Sequence, residues 1–198
     1  MTSSTGGTPG TSLESHFTKL LAGPGSSILA GSSLSALHKV DGTIRCSVRR
    51  PDSDQNWWMV ADCADQEIGS YYRGLYWLEH NKGSKLMRPY WPLHVTVVRN
   101  EEPPNVGRWW DYDGEQLDFY HLPCVRTNWT AERYRSFYWL DVICPRFEEI
   151  RVELGLAKNP DGIYHMSIGT VENEENREAY ERMWAATGVE ATKGGHDD

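Results

Sequence analysis

The sequence lacks several features that would each assign it to a class of protein. No run of about eighteen apolar residues is present, so no segment is predicted to span a membrane. The N-terminus has no basic region followed by an apolar stretch, so we expect no secretory signal. The four cysteines are far apart and form no C-x-x-C pair, which favours reduced thiols in a cytoplasmic protein.

Positive charge is also scarce. The 20 Lys and Arg residues are outnumbered by 28 Asp and Glu, for a formal net charge of −8. Affinity for the backbone of long duplex DNA depends mainly on Lys and Arg, so such a partner is not expected. A local pocket for a small nucleotide or an RNA end remains compatible with this charge. Nine Trp and ten Tyr are, by contrast, many for 198 residues.

The composition divides the chain into three parts. Residues 1–36 are rich in Gly, Ser and Thr, which predicts a flexible N-terminal arm. Residues 187–198 form a polar tail that we expect to be disordered. The predicted folded domain is therefore 37–186, which is long enough to bury a core.

Two halves of this domain repeat a plan of strand, helix and strand. The first has an apolar strand at 57–61, a helical spacing of apolar residues over 65–80, and a strand around 94–98. The second has a strand at 137–144, a helix that begins at Pro145, and a last strand around 165. The sequence also predicts a strand at 43–48, a turn at Pro51–Asp54, a helix end at Asn81–Gly83, a strand from Leu117 to Leu122 limited by Pro123, and a helix over Glu172–Ala186 with apolar Tyr180, Met183 and Trp184.

Each half ends in a His followed two residues later by a hydroxyl residue. The first motif lies in Pro-Leu-His-Val-Thr-Val-Val and the second in Ile-Tyr-His-Met-Ser-Ile-Gly. Side chains alternate between the two faces of a strand, so His94 and Thr96 share one face, and His165 and Ser167 share one face. A third match, at His16, lies in the arm and is discounted.

Two imidazoles with neighbouring hydroxyls suit acid–base chemistry around a phosphate. Histidine can act as acid or base near neutral pH, and hydroxyls can donate hydrogen bonds to developing negative charge. Taken alone, either motif is better explained by a histidine with a structural role in a strand. The pair, placed at equivalent points of a duplicated plan, favours catalysis, although the sequence does not indicate which His is the base.

From 57 to 169 the chain resembles the 2H phosphoesterases, a family defined by two H-x-T/S motifs. The resemblance implies an α+β fold, duplicated and bilobal, with antiparallel sheets around a central cleft. It also implies metal-independent action, without a cofactor, on cyclic phosphates, 2′–5′ linkages or cyclic nucleotides. By this resemblance, His94 and His165 would be the acid–base pair, and Thr96 and Ser167 would hold phosphate oxygens.

The second half is also similar to a phage branch of this family. The similarity lies in Leu-Asp-Val-Ile-Cys-Pro at 140–145, followed by a helix and the His165 strand. That branch degrades cyclic oligonucleotide alarm signals in the host cytoplasm. The resemblance therefore implies a phosphodiesterase whose substrate is a small nucleotide, a cyclic oligonucleotide or an RNA end.

Several other residues are candidates for substrate binding. Trp109, Trp110 and Tyr112 can stack on a base, or they can pack in the core and anchor a loop. Arg88 and Arg99 flank the first motif, where each can contact a phosphate or lie in solvent at a strand end. His121 and Cys124 lack nearby partners for a metal, so no metal site is predicted.

Two functions of other classes remain open. One is a module that binds and sequesters a nucleotide without turnover. The other is a structural phage protein, in which the glycine-rich arm mediates assembly.

Overall fold

The computed structural model describes residues 37–49, 56–79, 86–130, 132–159 and 162–186. The arm, the tail, the His16 motif, the turn at 51–54 and the helix end at 81–83 lie outside the described residues. The strands are β1 (His38–Arg49), β2 (Asn56–Cys63), β3 (His94–Arg99), β4 (Gln116–Thr127), β5 (Arg135–Ile143) and β6 (Tyr164–Glu172). The helices are α1 (Glu67–Glu79), α2 (Pro145–Glu153) and α3 (Arg177–Ala186), with 3-10 turns at Val106–Tyr112 and Glu174–Asn176.

The six strands form one closed antiparallel sheet in the order β1-β2-β3-β6-β5-β4. Each half of the domain contributes three consecutive strands, with a helix between the second and the third. The halves meet where β3 pairs with β6 and again where β1 pairs with β4. The predicted α+β class and antiparallel pairing are confirmed. The arrangement of the halves as two lobes around a cleft stays a prediction.

Alternation of side chains along β3 and β6 separates a buried face from an accessible one. Val95 and Val97 of β3 are buried, as are Tyr164, Met166 and Ile168 of β6. The residues between them are partly or fully accessible. One apolar face of each strand therefore packs into the core, as the period of two predicts.

Helix α1 packs through Tyr72 and Tyr76, which are four residues apart and so lie on one face. The Tyr76 hydroxyl lies 3.3 Å from that of Tyr138 in β5. Arg73 of the same helix donates from Nη1 to the Ile168 carbonyl oxygen of β6 at 2.9 Å. The helix of the first half therefore contacts strands of the second half.

Helix α2 starts at Pro145, where the missing N–H costs no hydrogen bond. Its buried face carries Phe147 and Ile150. Arg151 donates from Nη1 to the Val97 carbonyl oxygen at 2.9 Å. Val97 is the extra residue of a bulge in β3, because the register shifts between its neighbours. This bond ties α2 to the strand that carries His94.

Two predicted boundaries were wrong. Strand β4 continues through Pro123 to Thr127, because the ladder to β5 is irregular between His121 and Val125, and a bulge needs no N–H at Pro123. The last helix starts at Arg177, since β6 extends to Glu172 and a 3-10 turn follows. The ring centroid of its Tyr180 lies 5.0 Å from that of Tyr134. The side chains of Met183 and Trp184 lie outside the described part.

No described helix is long and apolar enough to cross a membrane.

Two residues of α2 provide a matched test of the core. Ile150 is fully buried, whereas Val152 is 49% exposed. We expect Ile150→Ala to lower the free energy of unfolding by about 2–5 kcal/mol, because it leaves a cavity. Val152→Ala should change it by no more than about 0.5 kcal/mol. Urea denaturation of both variants measures the difference, and equal losses would contradict the described packing of α2.

Candidate functional site

The two His motifs meet at the junction of β3 and β6. The strands run antiparallel, and Val95 is paired with Met166. His94 and Thr96 flank Val95, and His165 and Ser167 flank Met166, so all four lie on the sheet face opposite the core. His94, Thr96 and Ser167 are half-buried, and His165 is exposed. The structure therefore brings the four predicted catalytic residues together.

The antiparallel register fixes which side chains are neighbours. Continuing from the Val95–Met166 pair, His94 is beside Ser167 and Thr96 is beside His165. Directly opposed side chains have Cβ atoms about 5 Å apart, and diagonal ones about 7–8 Å. The two imidazoles are therefore diagonal, and each has a hydroxyl of the other strand as its neighbour.

The ring of His94 is oriented by the chain that precedes it. Nδ1 lies 2.8 Å from the Pro92 carbonyl oxygen. A carbonyl only accepts hydrogen bonds, so Nδ1 carries the hydrogen, and Nε2 is the nitrogen whose protonation can change. Trp58 contacts this ring edge to face, with centroids 5.8 Å apart.

The ring of His165 has a different electrostatic environment. Neighbouring protein atoms partly desolvate the ring and so lower the pKa of His165, although the residue as a whole is exposed. The Asp141 carboxylate acts in the opposite direction, and the positive charge of Arg99 lowers the pKa further. Trp139 lies against the ring at a centroid distance of 5.8 Å. His165 is therefore neutral at neutral pH and suited to accept a proton.

Each His is paired with an aspartate on the adjacent strand, on the side away from the β3–β6 junction. Asp62 of β2 is paired with His94, and Asp141 of β5 is paired with His165. Paired residues of an antiparallel ladder point to the same face, so both carboxylates lie beside the imidazoles.

An arginine holds each of these aspartates. Arg45 binds Asp62 through two hydrogen bonds, of 2.6 and 2.9 Å. Arg126 donates from Nε to Asp141 at 3.0 Å, and the Trp139 indole N–H donates to the other carboxylate oxygen at 3.1 Å. Both halves thus repeat an arrangement of Arg, Asp, His and hydroxyl. The Arg–Asp pairs are not predicted from the sequence, because they depend on the register between strands that lie far apart in the chain.

The three predicted aromatic contacts divide into two groups. Trp109 and Tyr112 are fully buried, so neither presents a surface to a substrate, and this prediction is corrected. The Trp109 carbonyl oxygen accepts from the thiol of Cys46, on the buried face of β1, because the 3-10 turn packs on the core side. Trp110 is exposed at 57% on that turn. The charge of Arg99, at the end of β3, acts on His165.

His121 is a buried structural residue. Its Nδ1 lies 3.2 Å from the Leu122 carbonyl oxygen, and its ring stacks on His38 at 5.1 Å. Burial lowers its pKa. Within the described residues no group of three or more His, Cys, Asp and Glu could hold a metal ion. All four cysteines are described, and each has a free thiol.

Comparisons with family models, with curated proteins and with solved structures find no match to this chain.

The influence of Asp141 on His165 gives a direct test. Removing the carboxylate charge in Asp141→Asn should lower the pKa of His165 further, because the charge that raises it is lost. The imidazole titration of each His can be followed by NMR. Asp62→Asn is the matched control, since it lies beside His94 and should leave the His165 titration unchanged. A His165 pKa that rises or stays the same in Asp141→Asn would refute the assigned neighbourhood.

Proposed function

We propose that this protein is a metal-independent phosphoesterase of the two-histidine type. Its substrate is a phosphodiester or cyclic phosphate in a small nucleotide, a cyclic oligonucleotide or an RNA end. The observation that supports this most strongly is the placement of His94, Thr96, His165 and Ser167 on one face, on both sides of the Val95–Met166 pair. The repeated unit of three strands and one helix supports a duplicated, bilobal fold of this family.

The reaction needs one proton acceptor and one proton donor. A ribose hydroxyl or a water attacks phosphorus, and the base takes the proton of that nucleophile. The bond from phosphorus to the leaving oxygen breaks, and the acid gives this oxygen a proton. The two imidazoles exchange protonation states in this step. When a ribose hydroxyl attacks, hydrolysis of the resulting cyclic phosphate with the two roles swapped restores them; when water attacks, proton exchange with solvent does so.

The environments of the two rings suggest their roles. His165 has a lowered pKa and is neutral at neutral pH, which suits the base. His94 is held by the Pro92 carbonyl oxygen through Nδ1, which aims Nε2 for proton transfer and suits the acid. A diagonal separation of about 7–8 Å between Cβ atoms leaves room for a phosphate between the rings.

The hydroxyls and one arginine complete the proposed site. Thr96 and Ser167 can donate hydrogen bonds to the non-bridging oxygens, where negative charge develops in the transition state. Arg99 is the last residue of β3, and its charge is close enough to act on His165. The same charge would attract a phosphate to this face.

Substitution of the four residues tests the assignment. His94→Ala and His165→Ala should each reduce turnover by about 10²–10⁴-fold, because each removes a proton transfer. Thr96→Ala and Ser167→Ala should cost less, about 1–3 kcal/mol of transition-state stabilisation each. His38→Ala, an exposed His of β1, is the control and should retain activity. Turnover of cyclic phosphate, 2′–5′ and cyclic oligonucleotide substrates is measured, and full activity in either site His variant would exclude the proposal.

The pH dependence should be bell-shaped, with excess EDTA present throughout. The acidic limb reports protonation of the base. Because the pKa of His165 is lowered, its midpoint should fall below about 6.5, the ordinary value for His. The alkaline limb reports loss of the proton from the acid, and both values belong to the coupled pair.

Loss of activity in EDTA, restored by a divalent ion, would contradict the metal-independent mechanism. Tight nucleotide binding with no turnover in any substrate class would instead identify a sequestering module.

A further inference from the structure

A polar cavity lies beside His94, between α1 and the segment 88–93 that leads into β3. Its volume is about 100 Å³. On a measure in which one water needs about 10–15 Å³, this is room for several waters or for a phosphate group. The residues that matter for its chemistry are Glu67, Ser70, Arg73, Arg88, Trp91 and Pro92.

Two guanidinium groups give the cavity its character. Arg73 is fixed, since it donates from Nη1 to the Ile168 carbonyl oxygen at 2.9 Å and from Nη2 to the Ser70 hydroxyl at 3.1 Å. Burial lowers the pKa of Arg73, and the neighbouring charge of Arg88 lowers it further, so the two guanidiniums are close enough to repel. Within the described residues Arg88 is exposed and has no hydrogen bond or ion pair of its own.

One carboxylate opposes this positive charge. Glu67 also lines the cavity, and its charge raises the pKa of Arg73, the third contribution after burial and Arg88. Two positive groups against one negative group leave an excess of one positive charge. That excess matches a phosphodiester, which carries a single negative charge, and an arginine fork matches its paired oxygens.

The cavity shares a wall with the proposed catalytic site. Pro92 lines the cavity, and its carbonyl oxygen is the group that orients His94. Trp91 also lines the cavity and packs on Trp58, at 5.8 Å, which in turn contacts His94. Pro92 is two residues before His94, so the cavity and the proposed catalytic site are adjacent.

We propose that this cavity is a second phosphate subsite, which binds a phosphodiester of the substrate adjacent to the one that is cleaved. The inference rests on the proposed function and refines it. It selects substrates with at least two phosphates, such as an oligonucleotide or a cyclic oligonucleotide, over a nucleotide with one. Arg88 binds and positions the second phosphate, Arg73 forms a fixed, positively charged part of the cavity wall, and Glu67 limits the affinity for anions.

The test compares a nucleoside 2′,3′-cyclic phosphate with a dinucleotide that ends in the same cyclic phosphate. In Arg88→Gln, the ratio of kcat/KM for the two-phosphate over the one-phosphate substrate should fall about tenfold, mainly through KM. In Glu67→Gln the same ratio should rise. Arg133→Gln removes an exposed arginine elsewhere and should leave the ratio unchanged. A ratio that is equal in all four proteins would overturn the proposal.

A binding measurement separates this proposal from the proposed function. Inorganic phosphate is titrated into His165→Ala protein, with and without the added Arg88→Gln or Glu67→Gln change, and followed by NMR. Weaker binding with Arg88→Gln and tighter binding with Glu67→Gln would support the subsite even if no substrate is turned over. Identical affinities in the three proteins would overturn the subsite, whether or not the enzyme is active.

Discussion

The pairing of β3 with β6 is the contact on which the rest of the arrangement depends. The backbone pair Val95–Met166 joins the two halves at the middle of the sheet, and the apolar side chains of both residues are fully buried. Because side chains alternate, burial of these two fixes the direction of the residues on either side. A shift of one residue would turn each His toward the core and each Val toward solvent, at the expense of buried apolar area. Packing therefore enforces the orientation of the polar groups.

Electrostatics then makes two similar halves unequal. Each His has an Asp across the next strand, and each Asp is held by an Arg, so the frame around the rings is repeated. The Arg45–Asp62 pair has side chains about a third exposed, at 39% and 34%, whereas the Arg126–Asp141 pair is less exposed, at 22% and 12%. Water screens the second pair less, so its charges act more strongly on their neighbours. The two halves therefore present similar side chains in different electrostatic surroundings.

Much of this organisation could be predicted from the sequence. Periodicity identified all six strands and the helices of both halves, and alternation placed His94 with Thr96 and His165 with Ser167 on common faces. The Arg–Asp pairs could not be predicted, because they depend on which residue of one strand lies opposite which residue of another. The sequence also left open whether Trp109 stacks on a substrate or packs in the core, since composition does not indicate on which side of a sheet a 3-10 turn will pack. The predicted strand ended before Pro123, whereas β4 continues through it. A single sequence does not reveal the bulge that accommodates this proline.

Closure of the sheet between β1 and β4 has a consequence for how other molecules can bind. Six consecutive Cα pairs, from His38–His121 to Thr43–Gln116, join the strands that would otherwise be its two borders. An open border presents unpaired N–H and C=O groups, to which any extended peptide can add as a further strand, including one from a misfolded copy. Along these six pairs the facing borders of β1 and β4 are already occupied. A further strand therefore cannot add to this stretch of β1 or β4, and recognition along it must use side chains.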